Sequence, residues 1–324
     1  MAIKRQSWVD YARGIAIILV LYRHVFEGIK NSGISIEKYL AIEHANIMFF
    51  SFRMPLFFII SGVFVIDSLK KRGLKNFIET KARLILYPYF LWGVIQITLQ
   101  LLLSDYVNAD RSLVSYLHLF YMPRGLDQFW YLYTLFNVSV LYVIAAHFLK
   151  LKHIHHIIIG VLFFYLSVKA YQLKINLGFL GDVLHYYLFF AIGDSVSKLI
   201  RSTENKKYLE SWKLLLLLFV PFIVAQYYYL TVNIPHAAMN YEFVEFFQPV
   251  IFVAIALIGG AFIIFLSFFL QKMQLLSWLN VLGRHSLYIY VAHVMVLASV
   301  RIFMTKVLNI YNVPLLLGAG IVFG

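Results

Sequence analysis

Apolar runs long enough to cross a bilayer as helices recur along the whole chain, near residues 8–29, 44–66, 84–103, 129–148, 154–171, 182–199, 212–232, 244–270 and 283–304. A further run, VPLLLGAGIVFG, begins at Val313 and stops at Gly324, too short to span. This pattern predicts an all-α, polytopic transmembrane bundle of about ten helices, nine complete and a tenth apparently truncated, with the native chain continuing beyond it. The runs follow one another without a polar interlude of domain size, so residues 1–324 read as a single integral membrane domain.

Within this pattern the first run breaks the rule. WVDYARGIAIILVLYRHVFEGI carries Asp10, Arg13, Arg23, His24 and Glu27, residue types that are costly in a bilayer and mark functional positions there. Arg13 and His24 are eleven positions apart, which on a helix is about 1100°, roughly 20° from three full turns, so they share one side. Asp10 and Glu27 fall within about 60° of the same line, with Ile17 and Val20 in between. The arginine and the imidazole are then roughly 16 Å apart along the axis, a span that suits an elongated ligand better than a metal ion. Asp10, Arg23 and Glu27 also admit a plainer reading, as helix-end residues that cap the helix or snorkel to the headgroups.

Composition removes other classes. The chain is 62% hydrophobic, 18% aromatic and 13% charged, with mean hydropathy +0.79, unlike any soluble domain. Its net charge of +13 is scattered between apolar runs, which argues for topology signals and against nucleic acid as a partner. Lys4 and Arg5, the Lys70–Lys75 cluster, Lys81, Arg83, Lys150, Lys152, Lys198, Arg201, Lys206, Lys207, Lys213 and Lys272 outweigh Lys30, Lys38, Arg111, Arg124, Lys169, Lys174, Arg301 and Lys306. That bias predicts a cytoplasmic N-terminus in the plasma or inner membrane, surrounded by membrane lipids. With no cysteine, disulfides, thiolate metal sites and a cysteine nucleophile are excluded.

Further candidates lie in other runs. Arg53 stands in mid-run before Met54 and Pro55, where it can satisfy a carbonyl freed by the proline or face a ligand. The connection 104–128 is the longest on its side, rich in aromatics and charges, and could cover a cavity mouth. It leads into QFWYLYTLF, where Trp130 is either a substrate contact or part of an aromatic belt. The last long run holds His293 in mid-membrane, as either a satisfied core histidine or a site residue. His153, His155 and His156 lack other ligands, so they read as a solvated loop and no metal is expected.

These residues resemble the acyltransferase-3 family of integral membrane acyltransferases, which includes sugar O-acetylases. DYARGIAIILVLYRH is similar to the family's Asp-x-x-Arg-Gly opening and its arginine and histidine separated by ten residues; MPLFFIISG, QFWYL and GRHSLYIYVAH resemble its next landmarks in order. Two positions differ. Arg53 stands where many relatives carry histidine, and the arginine pair of the first cytoplasmic loop is represented here by Lys81 and Arg83.

The resemblance implies ten spans in a membrane-only form, no bound cofactor, and acyl-CoA, acetyl-CoA first, as cytoplasmic donor. The acceptor it implies is a hydroxyl of a cell-envelope polysaccharide or a lipid-linked saccharide. In that scheme Arg13, Lys81 and Arg83 hold the donor, His24 is the general base or a transient acyl carrier, and Glu27 orients it. Arg53, Trp130 and His293 contact substrate, and Asp10 supports Arg13. A transporter or flippase is the competing class, since buried Arg, His and Glu also mark substrate and proton paths. Against it, the sixth run, VLHYYLFFAIGDSVSKL, has no counterpart of the charged stripe in the first.

Overall fold

The computed structural model describes residues 6–324. Lys4 and Arg5 lie outside these. Among the described residues every regular element is helical: α1 (Ser7–Lys30), α2 (Leu40–Met48), α3 (Phe50–Gly62), α4 (Val65–Lys81), α5 (Tyr87–Leu102), α6 (Ser115–Tyr121), α7 (Trp130–Phe148), α8 (His153–Gln172), α9 (Phe179–Ser195), α10 (Ser197–Arg201), α11 (Lys206–Leu209), α12 (Trp212–Asn233), α13 (Phe243–Phe247), α14 (Pro249–Met273), α15 (Ser277–Ile302) and α16 (Val313–Phe323). Short 3-10 and π turns join several of them.

Seven segments are long and apolar enough to cross a membrane: Glu37–Gly62, Val65–Leu102, Pro123–Phe148, His153–Gln172, Trp212–Ala237, Pro249–Met273 and Ser277–Val307. Together with α1, α9 and α16 they occupy the ten positions that the apolar runs predict. Each of the three departs for a physical reason. Charge lowers the hydropathy of α1, α9 is only 17 residues long, and α16 has 11.

The charged helix is enclosed by protein. No residue from Ser7 to Ile29 is exposed, whereas α12 turns Leu217, Val220 and Val224 outward. A bundle in lipid sorts its helices this way because a charge facing hydrocarbon is opposed by several kcal/mol, while an apolar side chain there costs nothing. The main partner of α1 is α15, which runs beside it in the same direction. Asn280 bonds the carbonyl of Ser7, the His24 and His293 rings meet, and Arg301 bonds the carbonyl of Gly28. We call the end where α1 begins proximal and the end where it finishes distal.

Two glycine pairs bring helix backbones into direct contact. A Cβ on Gly14 would fall 2.1 Å from the carbonyl oxygen of Leu279, and one on Gly283 only 1.7 Å from that of Asp10. The α3–α9 crossing repeats the device with Gly62 against Phe190 and Gly193 against Ile59. Small residues at such crossings let helices approach where no hydrophobic force drives them together. The α1–α15 pair fixes the depth at which Arg13 and His24 stand.

Some loops differ from expectation. His156 is buried rather than solvated: its ring stacks on Tyr142 at 3.8 Å and its Nδ1 lies 2.6 Å from the Tyr187 hydroxyl. The Lys70–Lys75 segment lies within α4, which is broken at Gly73, whose φ of 72° lies in the left-handed region. The connection after α5 is itself partly helical, in α6 and the 3-10 segment Pro123–Phe129.

The crossing makes a sharp prediction. Gly283→Leu should lower stability by about 3 kcal/mol or more, because the obstructing atom is backbone and cannot move aside. Gly318→Ala, in a helix with open space at that point, should change it by less than about 1 kcal/mol. Thermal unfolding of the detergent-solubilised protein measures both; a Gly283→Leu variant that melts like the parent would mean that α1 is not seated on α15 as described.

Candidate active site

The distal half of α1 forms one wall of a cavity of about 530 Å³, whose lining on that helix runs from Val20 to Ile29. Arg53 and Pro55 of α3, Gln96 of α5, Trp130 of α7, Tyr186 of α9, Glu245 of α13 and Tyr290 of α15 complete it within the bundle. Val107, Asn108, Arg111, Arg124 and Asp127 of the connection 104–128 border it. That segment therefore meets the cavity, in the place where a cover would lie.

His24 lines this cavity and is partly accessible to it. Behind it stands His293, fully buried, the two rings 4.9 Å apart between centroids and tilted by 59°. His293 Nδ1 lies 2.7 Å from the Tyr290 carbonyl. A carbonyl oxygen only accepts, so Nδ1 carries the hydrogen and Nε2 is left buried with no hydrogen-bond partner among the described residues. Tyr290 is held in turn, its hydroxyl donating to the carbonyl of Gln128.

Glu27 is one turn above His24, and its carboxylate pairs with Arg23 at 2.8 Å. The i,i+4 spacing of Arg23 and Glu27 favours that pair on any helix. The Arg23 guanidinium lies 4.4 Å above the Phe50 ring and that of Arg53 5.5 Å from the same ring. Arg53 does not serve the carbonyl freed by Pro55. Its Nη1 donates across to Leu19 of α1 at 3.1 Å, which ties α3 to α1 next to His24.

Trp130 faces the cavity with the Arg124 guanidinium 4.4 Å over its ring, and Arg124 Nε donates to Asp182 at 2.6 Å. His185 and Glu245 are a second buried pair, 3.0 Å apart. Arg124 and Glu242 also line a neighbouring cavity of about 520 Å³ between α8, α9 and α13, so the two chambers share a charged wall. Burial pushes the Glu242 carboxyl up to about 7, with the nearby Glu245 carboxylate acting in the same direction.

The remaining sequence candidates stand apart. Arg13, Lys81 and Arg83 are not among the cavity-lining residues; they belong to the proximal half, separated from His24 by the buried Ile17 and Val20. Arg13 is close enough to Lys81 and to Tyr131 to interact with both electrostatically. The Lys81 ammonium lies 5.6 Å from the Phe77 ring, and Arg83 is exposed on the π turn Ala82–Leu86. Asp10 is buried at the Gly283 crossing, with Arg284 Nε at 3.8 Å. The stripe therefore has two stations rather than one site. Among the described residues no cluster of His, Asp and Glu has the arrangement of a metal site.

Arg124, Glu242 and Glu245 are cavity residues that the sequence pattern did not single out, while Arg23, read from the sequence as either functional or a helix-end residue, lines the cavity. Glu245, an acid at the edge of the run 244–270, carried a signal of the same kind as His24. Arg124 and Glu242 lie in connections, where charge is ordinary and gives none.

Against known proteins, the acyltransferase-3 model, described as an acyltransferase domain, matches residues 6–324. No curated protein and no solved structure matches the chain significantly. The match covers the charged first helix, the α3 segment around Arg53, Trp130 and the His293 helix together, and the chain belongs to the acyltransferase-3 family of membrane acyltransferases.

Proposed function

We propose that the protein transfers an acyl group, acetyl first among candidates, from cytoplasmic acyl-CoA to a hydroxyl of a cell-envelope polysaccharide or its lipid-linked precursor, with the N-terminus in the cytoplasm. One observation carries this reading: a single enclosed helix holds His24 in the wall of a charged, Trp-bearing cavity at its distal end and Arg13, beside Lys81, toward its proximal end. An acyl-CoA is built to bridge such stations. Its phosphates and pantetheine arm suit Arg13, Lys81 and Arg83 on the cytoplasmic side, and its thioester would then reach toward the imidazole.

In this scheme the acceptor lies in the distal cavity against Trp130. His24 takes the proton from its hydroxyl as the oxygen attacks the thioester carbonyl. The tetrahedral intermediate collapses with loss of the CoA thiolate, which receives that proton from the imidazolium, so an ester and free CoA leave. His293 backs the His24 ring and limits its orientations. Arg53 supplies positive charge beside the reacting atoms, while Glu27, held by Arg23, can exchange that partner for the imidazole once the latter is charged. Asp10 anchors the proximal end of α1.

Two substitutions separate the stations. His24→Ala should lower turnover by about 10² to 10⁴ while leaving binding of labelled acetyl-CoA nearly intact. Full transfer by a correctly folded His24→Ala protein would make the imidazole structural. Arg13→Ala should instead weaken acetyl-CoA binding, with Arg13→Lys restoring it in part, since lysine keeps the charge without the planar fork. If neither change at position 13 alters donor affinity, the donor enters elsewhere. Mass spectrometry of envelope glycans from cells with and without the gene would then identify acyl group and acceptor together.

A further inference from the structure

The charges lining the distal cavity are unequally matched. Glu27 is taken up by Arg23 and Asp127 by Arg111, Glu245 lies 3.0 Å from His185, and Glu242 lies within electrostatic reach of Arg124. Arg53 has no carboxylate at ion-pair distance among the described residues. It is 4% exposed, its Nη1 has the single carbonyl of Leu19, and its Nε is buried without a hydrogen-bond partner. Arg23, 4.4 Å from the Phe50 ring, likewise keeps a buried Nη1 without a partner. Two guanidiniums with unfilled donors thus meet on one aromatic ring, in the wall that also holds His24.

A buried cation in that state is strongly unfavourable unless something negative enters. A neutral sugar offers hydroxyls but leaves the charge standing. A carboxylate or phosphate supplies both the charge and the paired oxygens that a planar guanidinium grips best. We infer that the acceptor carries an anionic group, a carboxylate or a phosphate, which Arg53 and Arg23 hold while the hydroxyl is presented to His24. That the ligand is the acceptor rests on the acyl-transfer reading; that the cavity selects an anion does not.

The use of Arg53 in the acyl-transfer scheme, as positive charge beside the oxyanion of the tetrahedral intermediate, is separable from this one. The oxyanion exists only during reaction, so that use predicts no preference for anions in simple binding.

The test is therefore a binding measurement on the full chain in detergent at constant ionic strength, read by tryptophan fluorescence, since Trp130 lines the cavity, and by thermal shift. Glucose, glucuronate and glucose 6-phosphate differ chiefly in the acid. The parent should bind the two acids about tenfold or more tighter than glucose. Arg53→Gln should remove that preference and Arg23→Gln reduce it, while Lys75→Gln, on the exposed proximal surface, should leave it unchanged.

Arg53→Lys covers the event that the glutamine variant does not fold: it retains charge and should keep a weakened preference. Nanodiscs of phosphatidylcholine with and without phosphatidylglycerol separate the sources. Competition by phosphatidylglycerol assigns the anion to a lipid-linked phosphate; its absence assigns it to the sugar's own acid group. Equal binding of glucose and glucuronate by the parent, no binding of any of the three, or a preference surviving in Arg53→Gln overturns the inference. Labelled acetyl-CoA binding in the same preparation is scored separately. If it fails while the anion preference stands, the acyl-transfer reading falls and the anion site remains.

Discussion

An ionised group in an apolar bundle has few tolerable places: it must be paired, bonded to backbone, or turned into a wet cavity. Nearly every feature of the interior follows from applying that constraint to α1. Its charges keep it out of lipid, so α3, α14 and α15 pack around it, and the Gly14 and Gly283 crossing lets α15 come close enough to enclose it. Asp10 then lies beside Arg284, Arg23 pairs with Glu27, and His24 faces the cavity. Arg53 completes the set from a second helix by bonding the Leu19 carbonyl.

The same constraint explains what was legible in the sequence. Ionisable residues inside apolar runs are rare enough to count, and helical spacing places them on faces, so the run 8–29, Arg53 and His293 could all be picked out before any coordinates. Spacing also holds the Arg23–Glu27 pair, which competes with any bond from Glu27 to His24. The shared wall of Arg124 and Glu242 was not legible. Those residues come from connections far apart in the chain and meet only through packing of α8, α9 and α13. His156 shows the opposite failure, a polar cluster next to a loop whose last member turns inward onto Tyr142 and Tyr187.

Ile17 and Val20 divide the stripe into a proximal station and a distal one. Family membership makes acyl transfer the natural use of this arrangement, and it displaces the transporter reading, which needs a path that opens at alternate sides.

The partnership of α1 with α15 also bears on how the protein is made. Roughly 250 residues separate Lys30 from Ser277, so at about 5–20 residues per second the first helix waits roughly 10 to 50 s for its main neighbour. During that interval each ionised residue near the middle of an isolated helix opposes insertion by about 3 kcal/mol. A segment made well before its main partner is thus housed late. Until α15 arrives, α1 depends on the insertion machinery, on the membrane interface or on α3 for shelter, so its housing is completed by a helix made long after it.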